Sequence, residues 1–115
     1  MEKVAIVGSR TWADPTLILS MVASLPRDTV IVSGGAKGVD TFAVSAAKQY
    51  GLMWIIVYPN WDAFGKAAGP LRNVIIADIS DRCIAFWDGK SRGTKNTIDL
   101  FNEAGKPVQI VGIDK

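Results

Sequence analysis

The chain has 115 residues, 49% of them hydrophobic and 21% charged, with a net charge of +2: the length of one domain (residues 1–115) and the composition of a folded chain. That charge gives no support to a polybasic membrane anchor and is discouraging for a nucleic-acid groove, which needs a basic track. With no histidine and one cysteine, Cys83, a Ser-His triad, a His-ligated zinc, a thiolate metal site and an internal disulfide are all excluded.

Lys3 to Val7 is a short apolar run ending in glycine, the form of a buried parallel strand. Asp14-Pro15 supplies a cap with proline at the first helical position, and Leu17, Ile18, Met21, Val22 and Leu25 recur at helical spacing up to Pro26. Thr29 to Val32 is a second strand, followed by the turn Ser33 to Asp40 and a helix with Phe42, Ala43, Ala46, Ala47 and Tyr50 on one face, ended by Gly51. Met53 to Tyr58 reads as a third strand and Pro59 to Lys66 as a loop. A helix is predicted from Gly69-Pro70 to about Ile79, with Arg72 and Asn73 in its first turn and a stripe of Leu71, Val74, Ile75 and Ala77 to Ile79. Arg82 to Phe86 is the fourth strand, Gly93-Thr94 opens the last helix, and Pro107 to Val111 is the fifth strand. Strands alternating with helices predict a Rossmann-like three-layer α/β fold, a mostly parallel five-stranded sheet flanked by helices. No signal peptide or membrane span is expected, and the lone cysteine suits a reducing cytoplasm.

Gly8-Ser9-Arg10, the run Ser33-Gly34-Gly35-Ala36-Lys37-Gly38-Val39-Asp40, and Gly93-Thr94 each follow a strand and precede a helix. In a parallel sheet all such turns open at one edge, where amides at helix starts favour an anion. A single glycine turn has the plainer reading of a tight bend; three together predict one nucleotide-like ligand. Ser33, Gly34, Gly35, Ala36 and Gly38 are expected to let the backbone pass close to a phosphate. Asp40 has two readings, a cap or brace for this loop and an acceptor for ribose hydroxyls, and its charge opposes a phosphate beside it. Neither the GxGxxG nor the GxxxxGK[ST] spacing is present, so no NAD chemistry or ATP hydrolysis follows, and no cofactor or metal is expected. Arg10 either grips a phosphate or pairs with Asp14. Lys66 either screens a phosphate or is solvated. Trp12 and Trp61 either stack on a base or belong to a core or dimer interface.

These motifs, with the block Gly65-Lys66-Ala67-Ala68-Gly69-Pro70-Leu71-Arg72-Asn73, resemble the YspA-like branch of the SLOG superfamily, which includes DprA-type DNA-processing proteins and LOG phosphoribohydrolases. The resemblance spans the chain and implies the Rossmann-like fold, nucleotide-derived ligands and pairing into a homodimer or higher homo-oligomer. It also implies that Arg72, with Asn73, lies beside a ribose and base. Truncating Arg72 to Ala is expected to weaken binding by roughly 1.5 to 3 kcal/mol with little loss of stability. The chain departs from the LOG pattern PGGxGTxxE at its closing glutamate, where Thr97 stands. Threonine cannot serve as a carboxylate in N-glycosidic cleavage, so that activity would need Asp40, Asp62 or Asp88 in its place. No catalytic residue is assigned. Three readings follow: a nucleotide-binding module that senses or sequesters its ligand, a phosphoribohydrolase, and a DprA-like single-strand nucleic-acid binder.

Overall fold

A computed structural model describes residues 1–112. In chain order the elements are β1 (Lys3–Gly8), α1 (Thr16–Ala23), β2 (Val30–Ser33), α2 (Val39–Gln49), β3 (Met53–Ile56), α3 (Trp61–Phe64), a 3-10 turn (Gly65–Ala67), α4 (Ala68–Ile79), β4 (Arg82–Trp87), α5 (Arg92–Glu103) and β5 (Val108–Gly112). The five strands form one sheet in the order β3-β2-β1-β4-β5, every pair parallel. This is the α/β Rossmann-like architecture that the alternation of elements predicts, with all rather than most strands parallel. No helix of the described residues is long and apolar enough to cross a membrane.

Residue alternation along the central strands divides the core. Val4, Ile6, Ile31, Ile84 and Phe86 pack with α1 and α2 residues such as Ile18, Val22, Ala43 and Ala47. Ala5, Val7, Val32, Cys83 and Ala85 pack on the opposite face with Ile76, Ala77, Ile98 and Phe101 of α4 and α5. Trp12 belongs to the first cluster: it is 9% exposed, meets Phe86 edge-on at 5.4 Å, and its Nε1 donates to the Asp14 carbonyl at 2.8 Å. Its core reading therefore stands, and it does not present a ring to a base. Burial pushes the Cys83 thiol up to about 12, which makes it inert.

Two predicted elements differ from those observed. Pro59 to Lys66 is not an open loop: Asn60 Oδ1 accepts from the Ala63 amide at 3.1 Å and starts the turn of helix α3, which runs into the 3-10 turn. Gly69-Pro70 lies inside α4, so Arg72 falls in its second turn. The helix is also rotated relative to the expected stripe. Ala68, Gly69, Asn73, Ile76 and Ala77 face inward, while Leu71, Val74 and Ile75 are exposed. Small residues allow the close approach, and Asn73 is drawn inward because its Nδ2 donates to Asn96 Oδ1 at 2.9 Å. An edge position explains why the apolar strand β3 is open to solvent, Met53 most of all.

Candidate functional site

The carboxyl ends of β2, β1 and β4 open onto a cavity of about 440 Å³. Its floor is apolar, from Val7 on β1 and Ile76 on α4. The turn after β1 contributes Gly8, Ser9, Arg10 and Thr11, and the turn after β2 contributes Ala36 and Asp40. Arg72 and Asn73 come from α4, while Asp88, Lys90, Ser91, Gly93, Thr94 and Thr97 come from the β4 turn and the start of α5. The three turns picked out in the sequence therefore meet at one place.

Ser9 ties them together. Its carbonyl accepts from the amides of Trp12 at 3.3 Å and Val39 at 3.4 Å, and its buried hydroxyl accepts from the Asp88 amide at 3.3 Å. Gly38 makes this closeness possible. It sits at φ +76°, and a Cβ there would stand 2.5 Å from the Ser9 carbonyl oxygen and 2.6 Å from that of Arg10.

The glycine turn after β2 is wired to itself. Gly35 N donates to Ser33 Oγ at 3.2 Å and Ala36 N to Asp40 Oδ2 at 3.3 Å, while Ser33 Oγ donates to the Asp40 carbonyl at 3.2 Å. Arg72 closes it from the other side, with Nη1 donating to the Gly34 carbonyl and Nε to Asn73 Oδ1 at 2.9 Å. Gly34 is bare because a Cβ would lie 2.5 Å from Arg72 Nη1 and 2.9 Å from Asp40 Oδ2. Ser33, Gly34, Gly35 and Gly38 do not line the cavity; they shape the loop that presents Ala36 and Asp40 to it.

The other side keeps its donors. Among the described residues, the amides of Arg10 and Thr11 have no acceptor, and neither does that of Gly93, in the first turn of α5. Ser91 caps α5, with Oγ accepting from Thr94 N at 3.4 Å and lying 3.0 Å from Thr94 Oγ1. Asp88 Oδ1 accepts from the amides of Lys90 and Ser91, both at 2.8 Å, and these bonds hold its carboxyl below the usual range. Arg10 and Lys90 extend into solvent at the rim. Arg10 has no ion pair with Asp14, whose Oδ1 instead accepts from the Thr16 amide at 2.9 Å at the start of α1.

Two charges deeper in the cavity are perturbed. Burial raises the Asp40 carboxyl to about 6, against the opposing pull of the Ala36 amide, Arg72, the Gly34 amide and Arg10. Burial also lowers Arg72, with Asp40 acting in the other direction. No ion pair joins these two among the described residues. Thr97 Oγ1 donates to the Gly93 carbonyl at 3.2 Å. Asp99, which does not line the cavity, pairs with Lys95 at 2.8 Å on the surface.

Lys66, on the 3-10 turn, and Asp62, on α3, lie outside the lining, and Trp61 is 51% exposed on α3. The sequence reading placed its third turn at Gly93 and so gave no ligand-contact role to Asp88, Lys90 or Ser91. The signal was present: an Asp-Gly-Lys-Ser stretch directly after a parallel strand, with Ser91 three residues before Thr94, marks the helix start. Thr11, immediately after Arg10, shares the same strand end.

The profile of the YspA, cpYpsA-related SLOG family matches residues 2–64. The chain belongs to this family. It is 36% identical to the gene 61 protein of Mycobacterium phage D29, over 94% of each chain. Among solved structures, DNA processing protein A (DprA) from Streptococcus pneumoniae superposes with a TM-score of 0.86 at 29% identity, over 99% of this chain and 51% of that one. DprA from Helicobacter pylori, described for its single-stranded DNA binding mode, gives 0.73 at 25% identity over 95% and 64%. TM1055 shares the fold, with a TM-score of 0.71 at 20% identity. This SLOG chain thus spans about half the length of the first DprA and under two thirds of the second.

Proposed function

We propose that this SLOG chain binds a nucleotide or nucleotide-derived small molecule in the cavity at the sheet's carboxyl edge, sensing or sequestering it without turnover. The observation that carries this is the convergence in one cavity of amides without a partner among the described residues, at the β1 turn and the α5 start, with Arg10, Arg72 and Lys90. Such donors suit a phosphate-bearing ligand. Turnover by N-glycosidic cleavage is disfavoured by Thr97, whose hydroxyl is engaged, and by Asp88, whose carboxylate is committed to two amides. Asp40 is the remaining carboxylate in the lining.

The test is native mass spectrometry of the chain with ribonucleoside monophosphates, ADP-ribose derivatives and cyclic nucleotides. A retained, unaltered ligand at one per chain is expected. Release of free base with time would make the protein a phosphoribohydrolase, and no complex at all would contradict the reading.

A second reading, single-stranded DNA binding, draws on the likeness to the two DprA structures. It predicts affinity for an oligothymidylate that falls steeply with salt, whereas a small-molecule site predicts a shallow dependence. A homodimer also belongs to the proposal, paired through the exposed apolar face of Leu71, Val74 and Ile75 with Trp61 and Phe64 beside it. The mass spectrum reads this directly, as twice the chain mass.

A further inference from the structure

The two sides of the cavity ask for different chemistry. On the β2 side, Asp40 is only 5% exposed yet lines the cavity. Its carboxylate accepts from the Ala36 amide at 3.3 Å and from the Gly34 amide, and no side chain donates to it among the described residues. A buried carboxylate that lines a cavity and has no side-chain donor repels a phosphate and favours donors. On the β1 and β4 side lie open amides at Thr11 and Gly93, with Lys90 and Arg10 at the rim. Two strand spacings, about 10 Å, separate the ends of β2 and β4, with room for a phosphate at one side and a pentose ring at the other. The lining contains no aromatic ring, so nothing in it stacks on a base.

We propose that Asp40 is the specificity-determining residue of this cavity, accepting hydrogen bonds from the vicinal hydroxyls of a pentose whose phosphate rests at the start of α5. This deepens the nucleotide-binding reading and rests on it. The site selects ribo- over 2′-deoxyribo-phosphates and discriminates weakly among bases. Removing the 2′ hydroxyl leaves the carboxylate with one donor fewer in a place that water reaches poorly.

The experiment is calorimetric titration of the full chain at pH 8, where Asp40 is ionised, with ribose 5-phosphate, the four ribonucleoside 5′-monophosphates, their 2′-deoxy counterparts, and inorganic phosphate as competitor. The ribo forms are expected to bind about tenfold to a hundredfold more tightly than the deoxy forms, with ribose 5-phosphate close to the nucleotides. In Asp40→Asn, checked for folding by its thermal transition, that ratio collapses while competition by phosphate persists. A carboxylate that only braces the loop would leave the ratio unchanged. Equal binding of ribo and deoxy forms to the unmodified chain, or a ratio that survives in D40N, overturns the assignment while leaving the nucleotide reading intact. If no probe binds, inorganic phosphate included, both fall.

Discussion

The turn after β2 and the start of α5 flank β1 on opposite sides and differ in what they do with the amides of their glycine turns. In the first, Ser33 Oγ and Asp40 Oδ2 take the amides of Gly35 and Ala36, and Arg72 takes the Gly34 carbonyl. In the second, Ser91 and Asp88 satisfy part of the helix start, while the Gly93 amide has no partner among the described residues. Glycine richness alone does not mark the anion site. Where side chains of the loop already hold the glycine-turn amides, as at Gly35 and Ala36, those amides are not offered to an anion, whereas the Gly93 amide is open.

The largest break in this contrast should come from Gly38→Val. At φ +76° and with a Cβ against the Ser9 and Arg10 carbonyls, it should cost roughly 3 kcal/mol or more, read as a lowered midpoint in urea.

Next is the pH dependence carried by Asp40, which faces Arg72 from α4 and Arg10 from the β1 turn. Its folded value near 6 is above the unfolded value of 3.8, so between them the folded chain binds more protons. Its contribution is then full below the unfolded value and lost as pH rises through 6, on the order of 3 kcal/mol. Between pH 5 and 8 the Tm of the unmodified chain should therefore fall more than that of D40N. Equal slopes would mean that Asp40 is less buried than described.

Arg72→Ala removes the bond to Gly34 and the contact with Asn73. It should cost about 1.5 to 3 kcal/mol of stability as well as affinity, unlike the purely binding effect that the sequence predicted; chemical denaturation beside ligand titration separates the two. Ser91→Ala should cost about 1 kcal/mol through the lost cap, measurable in the same way. Lys66→Ala should change stability by less than about 0.5 kcal/mol and leave nucleotide affinity unaltered; a clear loss of affinity would return Lys66 to the site.

Sheet, helix order and the meeting of three turns were legible because strand-ending glycines and alternating elements are local signals. The fate of each amide was not legible, since it depends on Ser33 and Asp40 folding back and on Arg72 arriving from a helix 38 residues beyond Gly34. The rotation of α4 was hidden for a related reason. It carries apolar residues on both faces, Leu71, Val74 and Ile75 outward and Ile76 and Ala77 inward, so spacing alone could not choose between them. Asn73 decided it through Asn96, a contact between helices. Ser91 escaped notice, and Asp88 was weighed only as a catalytic carboxylate, because the glycine of the third turn drew the reading two residues past the cap.

The most direct test of an anion site on the β1 and α5 side is a two-dimensional amide NMR titration of the full chain with a ribonucleoside 5′-monophosphate. The account predicts that the largest shifts fall on Arg10, Thr11, Gly93 and Thr94, with a smaller one at Ala36, whose amide the Asp40 carboxylate holds, and Gly35 nearly still. Largest shifts at Gly35 to Lys37, or none at either turn, would contradict it.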